Sequence, residues 1–185
     1  MAAGKSTALA ALERLGAATL STDEVVRELY DSDEVRDAVV ERWGPEIAPG
    51  GSIDRSAVAG RAFASDEERA WLEGLLWPRV GERVARWRED VAAREPKPLA
   101  AVVETPLLFE AGLEGLYDAT VAVVAPERVR AARAAERGHA AVDERAARQL
   151  PQEEKARRAT YTVENSGSVE ELEAKLSEVL TSLQR

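Results

Sequence analysis

Two short, unbroken apolar runs, residues 99–104 and 119–124, limit most strongly what this chain can fold into. A strand with one wet face alternates apolar and polar residues; these runs do not. They suit strands buried on both faces, as in a parallel sheet covered by helices. The first is bounded by Pro96 and Pro98 and ends in Glu104. The second is followed by Pro126, where the first turn of a helix belongs. Residues 17–20 and 160–163 read as two further short strands. Helical patterns lie between these strands, so the order of elements implies a three-layer α/β fold with a parallel sheet.

The helices carry their own punctuation. Residues 8–15 are helical and closed by Gly16 as a C-cap. Ser21-Thr22-Asp23-Glu24 opens another helix, to Tyr30. From 32 to 94 the signals are nearly all helical, with a turn at 48–52. Ser65 to Glu68 forms a capping box ahead of a long helix, expected to bend or restart at Pro78. After Pro126, helix runs to about residue 137, restarts near Ala141, and restarts again after Pro151. Asn165-Ser166-Gly167 makes a turn and Ser168 to Glu171 a second capping box. The last helix aligns Val169, Leu172, Leu176, Val179 and Leu183 on one face.

The net charge of −9 argues against nucleic acid or an anionic membrane as partner. A phosphorylated small molecule stays open, since a local group of arginines suffices to bind it. The chain has no cysteine, which removes disulfides, thiolate metal sites and cysteine nucleophiles. No apolar run is long enough to span a bilayer and no signal peptide is visible, so the expected setting is the cytoplasm.

Gly4-Lys5-Ser6-Thr7, directly before a helix, is the back half of a Walker A phosphate loop. Glycine lets backbone N–H groups close around phosphates, and the helix that follows points its positive end at them. Residues 2–7, that is Ala2, Ala3, Gly4, Lys5, Ser6 and Thr7, are the candidate ATP-binding segment. Lys5 would reach the β- and γ-phosphates and the Ser6 hydroxyl would bind Mg²⁺. Taken alone, the four residues could also be a chance helix start. A full loop has another glycine four residues before the Gly-Lys pair and a strand before that. Only three residues precede Gly4. The expectation is a start assigned too late, with Met1 an internal residue of the loop; a trimmed chain or a degenerate protein are the alternatives. A parallel sheet deprived of that strand would be poorly stable.

Beyond the loop, the ordered set Ser21-Thr22-Asp23, Glu104-Thr105-Pro106-Leu107-Leu108-Phe109-Glu110, Arg137-Gly138 and Glu164-Asn165-Ser166-Gly167 resembles the dephospho-CoA kinase family over essentially the whole chain. The resemblance implies a nucleoside-monophosphate-kinase-like P-loop fold lacking its first strand. Its core would be about residues 1–30 and 96–185, its helical CoA-binding subdomain about 31–95, and its lid about 126–158. It implies transfer of the ATP γ-phosphoryl group to the ribose 3′-hydroxyl of dephospho-CoA. Asp23 takes the place of the family's second Asp in Asp-x-Asp, presumed base on that hydroxyl, while Ser21 replaces the first. On local sequence alone Asp23 reads as a helix cap.

By the same resemblance Arg55 faces substrate phosphate, Pro106, Leu107 and Leu108 line the acceptor site, and Glu104 joins Ser6 at Mg²⁺. Arg137 closes on the transferring group and Asn165 lies by the adenine. Glu110 is read as structural. Trp77 stands where the family has His and is expected to pack in the core; Thr160 stands where it has Asp. His139 reads as a surface residue. The partners implied are ATP and dephospho-CoA, with a monomer or weak homo-oligomer. Another small-molecule P-loop kinase, such as a shikimate or nucleotide kinase, stays open beside this. So does a truncated or decayed homologue without catalysis.

Overall fold

The computed structural model describes residues 2–136 and 149–184. The chain divides into two compact units, Met1–Thr19 with Arg94–Arg185, and Leu20–Ala93.

In the first unit, helix α1 (Lys5–Arg14) ends where expected. Gly16 is left-handed at φ 92°. Its N–H donates to the Glu13 carbonyl at 2.9 Å and the Ala17 N–H to Leu12 at 3.0 Å, the paired bonds of a Schellman motif. The chain reverses there into strand β1 (Ala18–Ser21), whose Ala18 N–H donates to Ala100, beside strand β2 (Ala101–Glu104). Strand β3 (Val121–Val124) pairs in parallel with β4 (Tyr161–Glu164), with Val121 opposite Tyr161 and Val124 opposite Glu164.

That register is pinned one residue earlier. The Thr120 N–H donates to the Thr160 hydroxyl oxygen at 3.1 Å, and the Thr160 N–H to that of Thr120 at 3.0 Å. Thr160, a departure from the family pattern, thus serves as half of a reciprocal bracket.

Helix α8 (Val169–Leu183) is capped by Ser168, which accepts from the Glu171 N–H. It lays Leu172, Leu176, Val179 and Leu180 against Ala8, Ala11 and Leu12 of α1 and Val163 of β4. Small alanines on α1 let the helices approach closely, and each fully buried leucine contributes about 2 kcal/mol. Val102 of β2 and Val123 of β3 edge the same cluster, so one core serves both strand pairs. Val169 and Leu183, expected on the buried face, are each 44% exposed at the helix ends, and Leu180 is buried instead. The remaining helices of this unit are α6 (Glu127–Glu136) and α7 (Gln152–Arg158).

The strands are less covered than their apolar runs imply. Leu99 is 54% exposed and Ala101 lies open. The physical reason is topological: β1–β2 and β3–β4 form two separate two-stranded sheets, and no further strand among the described residues pairs with either. Unpaired edges template aggregation, and two-stranded sheets are marginal alone. Residues 1–185 are therefore expected to melt in a broad, low transition with concentration-dependent light scattering. A high, cooperative transition in calorimetry would contradict this.

The second unit is helical: α2 (Thr22–Tyr30), α3 (Asp33–Trp43), α4 (Arg55–Ala62) and α5 (Asp66–Ala92). Val25, Leu29, Val35, Val39, Ile47, Val58 and Leu76 form its core. Trp43 meets Trp71 edge to face at 5.0 Å, and its indole N–H donates to Glu68, which also accepts from Nε and Nη2 of Arg42.

Helix α5 runs unbroken through Pro78, so the helix does not restart there. Proline removes the donor that would bond the Gly74 carbonyl; at the next position the Arg79 guanidinium donates to the Leu75 carbonyl at 2.6 Å. Trp77 is 54% exposed rather than packed in the core. Leu72, Leu76 and Val80 recur at i, i+4 and i+8 on the core side; Trp77 lies a hundred degrees round from Leu76. Among the described residues no helix is long and apolar enough to cross a membrane.

Candidate active site

The phosphate-loop residues gather in the first unit. Gly4 precedes α1 with φ 91° and ψ 34°, a left-handed conformation that glycine enters freely. Its carbonyl accepts from the Ala8 N–H at 2.9 Å, the first bond of the helix. The amides of the first turn, which include those of Lys5, Ser6 and Thr7, have no acceptor inside the helix and carry its positive pole. Ser6 is exposed there and Thr7 half-buried.

Asn165 sits against the loop. It is 4% exposed, and its side-chain amide donates to the Ala3 carbonyl at 2.9 Å. A Cβ on Gly4 would stand 2.1 Å from that nitrogen, so only glycine fits. The Asn165 backbone is itself fixed by its N–H bond to Val124 at 2.8 Å, at the end of β3.

Arg133 completes this corner. Its guanidinium donates to the Asn165 carbonyl at 3.2 Å and to the Asn165 side-chain oxygen at 3.4 Å. In the sequence, Arg130, Arg133 and Arg137 recur at helical spacing. Nothing in that spacing separates Arg133 from its neighbours, because its partner lies 32 residues away. Arg137 and His139 lie outside the described residues.

At the end of β2, Glu104 approaches Lys5, with Nζ to Oε1 at 3.6 Å and the carboxylate largely buried. A cation and an acid beside a helix N-terminus give a place where phosphate charge and metal charge can both be met. The chain then enters consecutive turns over 106–112. Leu107 accepts from the Ala111 N–H and Leu108 from the Leu113 N–H, both at 3.0 Å. Pro106, Leu107 and Leu108 are half-buried and Phe109 is buried, with Arg158 lying 5.2 Å over its ring.

Helix α7 holds these turns from behind. Lys155 Nζ lies 2.8 Å from Glu110 Oε1 and donates to the Pro106 carbonyl at 3.0 Å. The Leu150 N–H donates to the same Glu110 oxygen at 2.8 Å, and Arg158 pairs with Glu114. Gln152 accepts from the Ala125 N–H and donates to the Ala125 carbonyl. None of these partners is near in sequence, which hid them from motif reading.

Burial alone would raise the Glu110 carboxyl. The Lys155 hydrogen bond, the N–H groups of Glu110 itself and Leu150, and the Lys155 charge together outweigh it and hold the group below the usual carboxylate range. A depressed carboxylate adds stability above its unfolded value of about 4.3, and that stability is lost as pH falls through the lower folded value. Wild type should therefore lose denaturant stability below about pH 4 more steeply than Glu110→Gln. Parallel curves for the two proteins would contradict the pairing.

In the second unit, Asp23 is the second residue of α2 and exposed. The N-cap position belongs to Ser21, so Asp23 is not the cap that local sequence suggests. Arg55 is the exposed first residue of α4, whose cap is Asp54, accepting from the Ser56 N–H at 2.9 Å and the Ala57 N–H at 3.2 Å.

A phosphate loop facing an acid at a strand end, with a proline-leucine loop behind it, has counterparts in known proteins. A family model for dephospho-CoA kinase matches residues 1–171. The dephospho-CoA kinase of Anaeromyxobacter dehalogenans is 40% identical over 99% of this chain and 88% of its own length. That of Deinococcus radiodurans is 37% identical over 98% and 88%. In three dimensions the Thermus thermophilus protein TT1252 superposes with a TM-score of 0.78 at 35% identity, covering 99% of this chain and 93% of its own. A dephospho-CoA kinase of Campylobacter jejuni shares the fold, with a TM-score of 0.63 at 22% identity. With motifs, fold and near full-length similarity in agreement, the chain belongs to the dephospho-CoA kinase family.

Proposed function

We propose that this protein transfers the γ-phosphoryl group of ATP to the 3′-hydroxyl of dephospho-CoA, in the cytoplasm, with those two molecules rather than nucleic acid or membrane as its partners. The observation that carries this reading is the Lys5–Glu104 approach of 3.6 Å beside the left-handed Gly4, with the 106–112 turns close behind.

The backbone from Ala2 to Thr7 and the N-terminus of α1 take the ATP phosphates, with Lys5 on the β- and γ-oxygens. Asn165, held between Ala3 and Arg133, shapes the nucleotide side of the loop. Pro106, Leu107 and Leu108 offer an apolar wall to the acceptor, and Arg55 meets its phosphate. Asp23 orients the acceptor hydroxyl and accepts its proton as the new bond forms. Arg137 keeps the phosphoryl-facing role that its Arg-Gly motif suggests.

The donor set suits magnesium. Ser6 offers an exposed hydroxyl and Glu104 a carboxylate, both hard oxygen donors. No group of three or more acidic or histidine residues able to cage a metal exists among the described residues. Magnesium is commonly held by one or two protein oxygens together with substrate phosphate. Bound there, it would neutralise charge on the phosphate oxygens.

The test is a substrate panel of dephospho-CoA, shikimate and nucleoside monophosphates with ATP and Mg²⁺. Product CoA from dephospho-CoA alone supports the reading. Turnover of shikimate or a nucleotide instead would overturn it, and dephospho-CoA binding without turnover would favour a non-catalytic homologue.

A further inference from the structure

Three parts of the molecule are left unused by the reaction as described: exposed Trp77, the Arg133–Asn165 corner, and the buried Lys155–Glu110 pair. Nothing shows what covers Trp77, and the corner belongs to the nucleotide side already described. The pair goes further.

We infer that Lys155 is a positioning residue for the acceptor: by holding the Pro106 carbonyl it sets the shape of the 106–112 turns, and so controls dephospho-CoA binding without touching ATP. The inference rests on the proposed role of Pro106, Leu107 and Leu108 at the acceptor.

The hydrogen-bond pattern of the turns carries it. In a helical turn the Pro106 carbonyl would accept from the Glu110 N–H, four residues on. Here no such backbone bond reaches the Pro106 carbonyl among the described residues. The next carbonyls find backbone partners, Leu107 from Ala111 and Leu108 from Leu113. Pro106 is left to the ammonium of Lys155, at 3.0 Å. One cation therefore replaces a missing backbone donor at the first residue of the acceptor wall.

Its placement is firm. The Lys155 and Glu110 side chains are only 19% and 15% exposed, which concentrates their attraction. Glu110 Oε1 also accepts from Leu150, so both ends of the 150–155 stretch converge on one carboxylate oxygen. Gln152 brackets both backbone groups of Ala125 and fixes the helix independently of the pair. With α7 anchored at Ala125, loss of the Lys155 ammonium should release the turns rather than the helix.

The experiment compares wild type with Lys155→Met, Lys155→Arg and Glu110→Gln, measuring dephospho-CoA binding calorimetrically and KM for each substrate separately. Lys155→Met should raise Kd and KM for dephospho-CoA about tenfold, while KM for ATP stays within about twofold. Lys155→Arg should recover much of the loss. Glu110→Gln, which still offers Lys155 an acceptor, should shift dephospho-CoA binding less than Lys155→Met, and it serves as the test if Lys155→Met fails to fold. Equal losses toward both substrates, or unchanged dephospho-CoA affinity in folded Lys155→Met, would overturn the inference while leaving the proposed activity intact. Wild type that turns over dephospho-CoA but binds it unaltered after Leu107→Ala and Leu108→Ala would remove the acceptor wall, and the inference with it. Absence of any dephospho-CoA binding by folded wild type would instead sink the proposed function itself.

Discussion

Replacing Asp23 by asparagine should lower kcat by about 10²- to 10⁴-fold while ATP binding stays near wild type. Asparagine keeps the shape and an oxygen acceptor but cannot take the proton released as the hydroxyl attacks phosphorus. Asp23 is exposed and is not the N-cap of α2. The substitution therefore removes no capping bond, and stability should change by less than about 0.5 kcal/mol, the usual range for surface sites. That separation makes the result readable. Single-turnover kinetics with a parallel nucleotide titration would check it, and near-normal turnover would remove Asp23 from the reaction.

The second large effect belongs to Gly4→Ala. The backbone there is left-handed, and an added Cβ would stand 2.1 Å from the Asn165 amide nitrogen. If the loop keeps its path, Asn165 is driven off the Ala3 carbonyl and a buried amide loses its partner, costing about 1–3 kcal/mol. If the backbone moves instead, the first-turn amides of α1 lose their aim. Either way ATP affinity should fall at least about tenfold, equivalent to 1.4 kcal/mol. Gly74→Ala is the control. It lies inside α5 where a Cβ meets nothing within 4 Å, so it should leave activity unchanged and stabilise the helix by about 0.5–1 kcal/mol. Unaltered ATP binding by Gly4→Ala would contradict the phosphate-loop geometry.

Local signals in the sequence were reliable where the physics is local. Gly16 as C-cap and Ser65 and Ser168 as N-caps depend on residues within one turn, and each appears in the structure. The four strands fall within or beside their apolar and β-branched segments. Pro78 misled as a restart because the packing of Leu72, Leu76 and Val80 on one core outweighs a single lost ladder bond. Trp77 misled because its motif position was weighed above its angle on the helix.

The site divides in the same manner. Gly4, Lys5 and Glu104 were legible from motif chemistry, and the structure brings Lys5 to Glu104. Asn165 was legible as a turn residue, but its grip on Ala3 spans 162 residues. Arg133 and Lys155 act across 32 and 49 residues, distances at which only the fold decides who meets whom. Departures from the family pattern followed this rule too: Thr160 made sense only once Thr120 was seen opposite it.

The most direct test of the central claim is ATP-dependent formation of CoA from dephospho-CoA by residues 1–185, with Lys5→Ala measured alongside. The expected result is CoA carrying the new phosphate on the ribose 3′-hydroxyl, with turnover abolished by the Lys5 substitution. A folded wild-type chain that binds both substrates and forms no CoA would contradict it.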